Sequence, residues 1–278
     1  MASRNLWRGS ISFGLVNIPV QVFVATQNEY SSFNQLDEKG HRIRYKKWCP
    51  VEEREVPWSE IKKGYEISKD NYVIFEKEDL EKIKLKTTHS IDINEFINSD
   101  DLDPLYIEKN YYIGPDDRMN KRNKANSSQI TNKAYSLFVK ILNETNKIAI
   151  GKVVLKDKEH LVALRPYQRG LVMHQLKYLD EIRPMDEIQG ISADKQPKVE
   201  ERELSLGKTL VENLTNDQFD IGKYSDAYIR ELEKLIATKS KGQKFKATKE
   251  EKLEETTDLV EALKASINVK QKSKSKWD

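Results

Sequence analysis

An apolar run near the N-terminus, residues 7–24 (WRGSISFGLVNIPVQVFV), changes its side-chain phase midway. Apolar residues stand at odd positions in 11–15 and at even positions in 18–24. Because successive side chains of a strand point to opposite faces, one regular strand cannot bury both halves on the same side. Gly14 gives the backbone conformational freedom between the two halves. The run therefore predicts either a β-bulge or two strands that meet at a tight corner around Val16-Asn17.

Further strand patterns follow at short intervals along the chain. Alternating or β-rich segments lie at 39–47, 71–75, 91–93, 106–114, 148–155, 160–165 and 171–176. Helical apolar spacing is found at 76–85, in Ala134, Leu137, Phe138, Ile141 and Leu142, at 200–214 and at 225–237. Many short strands, with one helix between two sets of them, predict an α+β, β-rich fold built on a barrel or a strongly curved sheet.

The common catalytic and cofactor-binding motifs are missing from the sequence. Its four histidines form no i,i+4 pair, its 11 glycines form no phosphate-binding loop, and no G-x-S-x-G elbow occurs. The single Cys49 excludes an internal disulfide and a cysteine-pair metal site, and we expect it to be a small buried residue. The residues therefore offer no recognisable catalytic constellation and no expected metal or cofactor site.

Two acidic clusters leave one enzymatic alternative open. The carboxylates of SDDLD (99–103) and PDD (115–117) are of the kind that a metal-dependent nuclease uses. Solvated loop acids are the simpler interpretation, because no third ligand or flanking motif accompanies them.

The ends of the chain and its hydropathy give no sign of a membrane. No segment has the ~20 consecutive apolar residues that a spanning helix needs. The N-terminal MASRNLW runs directly into a strand pattern rather than an apolar leader. We therefore expect a cytoplasmic protein that does not bind membranes.

The charge of the chain is segregated along the sequence, although the net charge is only +3. Residues 39–49 hold five Lys or Arg and no acid, and residues 118–143 hold six and no acid. Residues 239–249 hold five Lys and residues 270–276 hold four, again without an acid. Such separation favours a polyanion as partner.

Two basic elements are candidates for contact with phosphates. In the predicted strand at 39–47, Arg42, Arg44 and Lys46 share one face, where they could follow a nucleic-acid backbone. The polar stretch 115–131 is predicted to be an exposed basic loop. No recognition helix, zinc finger or aromatic RNP strand occurs, so we expect backbone contact without base readout.

The C-terminal region reads as a linker, a helix and a tail. Residues 239–247 have the composition of a flexible basic linker, and Thr248 with Glu251 forms a capping box. The following helix, to about residue 267, carries a net charge of −5 over 250–261 and an apolar stripe. That stripe fits docking into a partner's groove or packing on the chain's own core, and both interpretations stay open. The terminal KSKSKWD is predicted to be disordered.

Several segments, taken in order, resemble one family. They are WRGSISFGLVNIPVQVF (7–23), RIRYKKWCP (42–50), IKKGYE (61–66), GKVVLKDKEHLVALRP (151–166), LVMHQLKYLDEIR (171–183), FDIGKYSDAYIRELEKLIATKSKG (219–242) and TTDLVEALKASI (256–267). Together they resemble the prokaryotic Ku proteins of bacterial non-homologous end joining, over nearly the whole chain.

The resemblance implies a Ku-type β-barrel core with a DNA-encircling arm and a helical C-terminal region. It implies a ring-shaped homodimer around the ends of double-stranded DNA, with contacts to sugar and phosphate. It further implies a protein that is not an enzyme, that protects ends, that recruits the ATP-dependent DNA ligase D, and that lies at the bacterial nucleoid. The expected domains are a core at 1–190 with its arm at roughly 80–130, helices at 191–240, and a linker, helix (about 249–267) and Lys-rich tail at 241–278.

The residues and the resemblance together give two sets of candidate site residues. The inner surface of the ring is assigned Arg42, Arg44, Lys46, Lys62, Lys63, Arg118, Lys121, Arg122 and Lys124. The ligase-binding surface is assigned Leu253, Leu259, Val260, Leu263 and Ile267. A non-specific architectural DNA binder without end preference and the metal-dependent nuclease remain the alternatives.

Overall fold

The structure, a computed structural model, describes most of the chain. The described residues are 5–27, 33–83, 89–116, 127–188, 190–191, 198–242, 260–263 and 266. By their internal contacts the residues divide into two compact units, 1–183 and 184–278.

The elements, in chain order, are mainly strands in the first unit and helices in the second. The strands are β1 (Asn5–Phe13), β2 (Val16–Val24), β3 (Trp48–Cys49), β4 (Arg54–Glu55), β5 (Lys63–Ser68), β6 (Asn71–Phe75), β7 (Ser90–Asn98), β8 (Ile107–Pro115), β9 (Lys147–Leu155), β10 (Lys158–Tyr167) and β11 (Gly170–Leu176). The helices are α1 (Lys77–Lys82), α2 (Ser127–Thr145), α3 (Glu201–Leu214) and α4 (Ala227–Ser240).

Seven of these strands close into a barrel, which confirms the predicted α+β, β-rich fold. Their order around the barrel is β1-β2-β8-β11-β10-β9-β7. Neighbouring strands are antiparallel except at the seam, where β1 runs parallel to β7. Full closure leaves this sheet without open edges.

The hairpin of β1 and β2 explains the phase change in the opening run. Across a two-residue turn, the odd residues of β1 from Trp7 to Phe13 face even residues of β2, so Ile11 pairs with Ile18 and both are buried. The turn is formed by Gly14, with φ +56°, and the fully exposed Leu15. A positive φ at the first turn position is the pattern of a type II′ turn. The chain thus turns two residues before the predicted corner, and the bulge interpretation is wrong at this point.

Helix α2 packs its buried face against the barrel interior. Tyr135, Phe138, Val139 and Leu142 belong to the same core cluster as the inward residues of the strands. The predicted apolar face was partly wrong, because Leu137 and Ile141 are exposed. A helix with two overlapping apolar stripes can bury only one of them against a single neighbour.

Tyr135 also ties α2 to two barrel strands. Its hydroxyl donates a hydrogen bond to the backbone oxygen of Ile113 on β8, at 2.6 Å. The same hydroxyl accepts one from the backbone N–H of Leu171 on β11, at 2.9 Å. Burial raises the pKa of the Tyr135 phenol above its ordinary value.

A separate segment lies between β2 and β7 in sequence, outside the barrel. It contains the two small hairpins β3–β4 and β5–β6, and helix α1. None of its described residues from 33 to 83 is buried. The range assigned to the arm, roughly 80–130, contains β7 and β8, which are barrel strands; in the described chain the extra-barrel segment is the one that precedes β7.

Candidate nucleic-acid interface

The first predicted cations lie on a small loop that Asp37 organises. The carboxylate of Asp37 accepts hydrogen bonds from the backbone N–H groups of Lys39 and His41, at 2.9 and 2.7 Å. It also contacts the ring nitrogen Nδ1 of His41 at 2.9 Å. The backbone hydrogen bond from His41, followed by its side chain, lowers the pKa of Asp37. This hydrogen-bonded loop immediately precedes the basic residues Arg42 and Arg44 in the chain.

The predicted strand at 39–47 is not formed. Only Arg42 makes an isolated β-bridge, to Leu36, and the described residues from 43 to 47 belong to no strand. Ile43 and Tyr45, expected on a buried face, are exposed. Alternation produces a strand only where a neighbouring strand can pair with it, and among the described residues the pairing of this segment stops after Arg42 and Ile43 meet Leu36 and Gln35. Arg42 and Arg44 are nevertheless exposed, as phosphate contact requires.

Two neighbouring lysines already have partners within the chain. Lys46 Nζ lies 2.6 Å from an Oε of Glu55 on β4, and this hydrogen bond raises the pKa of Lys46. Lys47 Nζ lies 3.2 Å from the centroid of the Trp58 ring. Arg42 and Arg44 have no ion-pair partner among the residues that the structure describes. Arg42 and Arg44 thus differ from Lys46 in this respect, and the assignment of all three to phosphate contact remains a prediction.

Lys62 and Lys63 line an open groove at the start of β5. The groove has a volume of about 860 Å³, and its other walls come from Trp58, Phe75 and α1. Lys62 forms an ion pair with Glu76, whereas Lys63 is exposed. The acidic first turn of α1 thus faces this groove, so its charge is mixed rather than purely basic.

The remaining predicted contacts fall outside the described residues. Arg118, Lys121, Arg122 and Lys124 belong to the stretch 117–126, which the structure does not describe. The described residues also leave out Leu253, Leu259 and Ile267 of the C-terminal stripe. Val260 and Leu263 are described, and both lie in a helical segment, as the sequence predicted. These assignments remain predictions.

The structure brings together a lysine cluster that sequence reasoning missed. Lys109 on β8 and Lys156 and Lys158 at the β9–β10 turn line one cavity of about 360 Å³, together with Trp7 and His160. Lys109 is ion-paired with the neighbouring Glu108 at 3.2 Å. The signal in the sequence was the KDKE segment, whose turn was predicted, but its place beside Lys109 of β8 in one cavity could not be read locally.

The acidic clusters act as local structure in the described chain. Asp103 caps the turn that follows it by accepting a hydrogen bond from the N–H of Leu105 at 2.8 Å. Asp101 accepts one from the Asn98 side chain at 2.9 Å. Within the described ranges no group of three or more His, Cys, Asp or Glu side chains is arranged to hold a metal ion. Cys49 is a free thiol and only half-buried, contrary to the expected full burial.

None of the helices within the described ranges has the length and hydrophobicity needed to cross a bilayer.

The comparisons with known proteins agree with the barrel and with the order of the segments. A family model described as "Ku70/Ku80 beta-barrel domain" matches residues 12–206. A protein of Archaeoglobus fulgidus named non-homologous end joining protein Ku is 42% identical, over 95% of this chain and 98% of its own. Proteins of the same name from Heliobacterium modesticaldum and Coxiella burnetii are 38% and 34% identical, over 96% and 99% of this chain and 92% and 97% of their own. None of these names states a catalytic activity. The chain belongs to the Ku family.

Proposed function

We propose that this protein binds the ends of double-stranded DNA without sequence preference, as a ring-shaped homodimer acting in non-homologous end joining. The observation that carries the proposal is the match, over almost the full length, to relatives named for that process. The exposed Arg42, Arg44 and Lys63 support it, because phosphate contacts supply sequence-independent affinity. No base-reading element is needed for such binding.

The β5–β6 hairpin supports the homodimer. Tyr65 and Val73 pair on one of its faces, while Tyr72 and Ile74 stand on the other, and all four are exposed. An isolated two-stranded hairpin is marginally stable in water, so one that is apolar on both faces needs cover. Beyond Lys63 at its start, the hairpin residues 64–75 carry one Lys and two acids, which favours an apolar protein partner over phosphate for this part of the hairpin. A second copy of the chain supplies that partner in the proposed ring.

The proposed partner beyond DNA is the ATP-dependent ligase D, bound through the apolar stripe of the C-terminal helix. The protein itself protects the ends and performs no catalysis, and its place of action is the nucleoid in the cytoplasm. Removing residues 248–278 should leave DNA binding intact and abolish ligase stimulation. Removing only 270–278 is the matched control, since it takes away the Lys-rich end and keeps the stripe. Ligase stimulation that survives the longer deletion would refute this assignment.

The test of end binding compares linear and covalently closed circular duplexes of the same sequence, in the presence of magnesium. A ring that threads onto DNA binds the linear form and not the circle. Equal affinity for both would reject threading and favour the architectural binder. Magnesium-dependent cleavage of either substrate would favour the nuclease.

A further inference from the structure

Helix α3 carries an apolar groove on its exposed side. The groove has a volume of about 550 Å³, and from this region it is lined by the apolar residues Val199, Leu204, Gly207 and Val211 and by the charged residues Glu203, Lys208 and Glu212. None of the side chains of α3 is fully buried, and Leu204 and Val211 are more than half exposed. A helix of 14 residues is marginal in water unless an apolar face is packed against something. We therefore expect another apolar element to pack into this groove.

The chain's own C-terminal segment reaches this groove. Leu263 forms part of the groove wall, opposite the α3 residues. Val260–Leu263 and Ser266 are helical, and the Ser266 hydroxyl donates a hydrogen bond to the backbone oxygen of Ala262 at 2.8 Å, one turn back. The segment thus approaches α3 as a helix.

Gly207 shapes the groove for such an approach. A Cβ added at Gly207 would meet no atom within 4 Å, so the glycine leaves open space on the wall. Glycine inside a helix costs roughly 0.5–1 kcal/mol relative to alanine. Its position midway along α3, between Leu204 and Val211, lets a second helix come close at that point.

The length of the connection permits docking within one molecule. Helix α4 ends at Ser240, and Val260 follows 20 positions later. Such a chain spans at most about 70 Å when extended, against a length of about 21 Å for α3. Tethering of this kind gives an effective concentration in the millimolar range, so weak apolar contacts suffice.

We propose that α3 is the docking site for the amphipathic C-terminal helix of the same molecule. Docking covers Leu204 and Val211 and withdraws Leu263 from the surface. A consequence that rests on the proposed function follows: in this closed state the ligase-binding stripe is hidden. The ligase must then compete with α3 for the stripe.

The test uses thiol cross-linking, with neither DNA nor ligase present. In a Cys49→Ser background, Val211→Cys and Leu263→Cys are combined and treated with a short bismaleimide. The matched control pairs Leu263→Cys with Thr209→Cys, which lies on the far side of α3 from the groove. At about 10 µM protein, we expect the groove pair to link within one molecule on the order of a hundredfold faster than between molecules.

Unfolding ¹⁴N- and ¹⁵N-labelled protein in urea, mixing the two and refolding them together gives dimers with one subunit of each isotope, so the isotopes of a linked peptide pair show whether both halves come from one molecule. Links of unmixed isotope, absent from the Thr209 pair, support the proposal. Equal yields for the two pairs, or links that form between copies, would overturn it. Because the readout involves no DNA or ligase, failure here is distinct from failure of the proposed function.

A second variant guards against an effect of folding. Val211→Asp places a charge in the groove at an exposed position, so α3 and its circular dichroism should be kept. Hydrogen exchange of the amides of Ala262, Leu263 and Ser266 should accelerate at least tenfold relative to Thr209→Asp, which places the same charge on the far side of α3 from the groove. Unchanged exchange in Val211→Asp would contradict the docking.

Discussion

Replacing Tyr135 by phenylalanine tests how α2 is attached to the barrel. The change removes one hydroxyl and leaves the ring, so no cavity of apolar volume is created. The hydroxyl accepts from the N–H of Leu171 and donates to the carbonyl of Ile113, and both are lost together. Each buried backbone group left without a partner costs about 1–3 kcal/mol.

We therefore expect Tyr135→Phe to lower the free energy of unfolding of the barrel by about 3 kcal/mol. The same loss corresponds to a melting temperature that is lower by roughly 6–12 °C. Urea denaturation with matched m-values, read by tryptophan fluorescence, measures the first quantity. Tyr167→Phe is the control, because its ring stacks on Tyr112 at 6.4 Å and no hydrogen bond of its hydroxyl is found in the described part of the chain. A loss below about 0.5 kcal/mol in Tyr135→Phe, equal to that of the control, would refute the linking role.

Three further predictions concern other parts of the first unit. Gly9→Ala would put a Cβ 2.1 Å from the backbone oxygen of His89 at the barrel seam, so we expect the free energy of unfolding to fall by about 3 kcal/mol in urea denaturation. Gly114→Ala, whose Cβ would have its nearest atom at 3.8 Å, should lose far less. Burial and the nearby Arg165 lower the pKa of His174, so the free energy of unfolding should fall as the pH drops below about 6.5, by up to ~1.4 kcal/mol per pH unit. His174→Gln should remove this dependence of stability on pH between pH 7 and 5.5. An unchanged dependence would contradict the assignment to His174. Arg42→Ala with Arg44→Ala should flatten the slope of log K against log salt by roughly 0.9 per lost phosphate contact, and an unchanged slope would remove both from the interface.

The sign of the His174 effect follows from its surroundings. Its Nδ1 lies 2.6 Å from the side-chain oxygen of Asn110, and its Nε2 is buried with no hydrogen-bond partner in the described structure. A second proton on the ring would therefore be buried without an acceptor. The unfolded chain binds that proton more readily than the folded one, so acid favours unfolding.

The barrel was predictable because its strands carry local signals. The odd-to-even switch around Gly14 follows from simple counting across a two-residue turn, and the β9–β11 meander follows from its turn residues. The exact corner was misplaced because Leu15 reads as a core residue, whereas it stands fully exposed at the tip of the turn. An apolar side chain in a turn gives no local sign of its exposure.

The errors have a common physical origin in contacts that are distant in sequence. Which face of α2 is buried depends on the strands around it, so Tyr135 and Val139 replaced Leu137 and Ile141 in the core. The alternation around Arg44 lacked a pairing strand. Residue types along one segment carry no record of such partners.

The candidate interface was predictable in its charge and only partly in its geometry. Exposure of Arg42 and Arg44 agrees with the prediction, but the pairing of Lys46 with Glu55 does not follow from any local pattern. The cluster of Lys109, Lys156 and Lys158 arises because the β9–β10 turn meets β8 at one end of the barrel.

Topological trapping on end-capped DNA distinguishes a closed ring from a protein that binds DNA from the side. The protein is loaded on a linear duplex with biotin at both ends, streptavidin is then added to cap the ends, and the salt is raised to about 1 M, where the Debye length is only ~3 Å. A closed ring cannot leave capped DNA, so we expect the protein to stay bound there and to dissociate from the uncapped duplex. Equal dissociation from capped and uncapped DNA would contradict it.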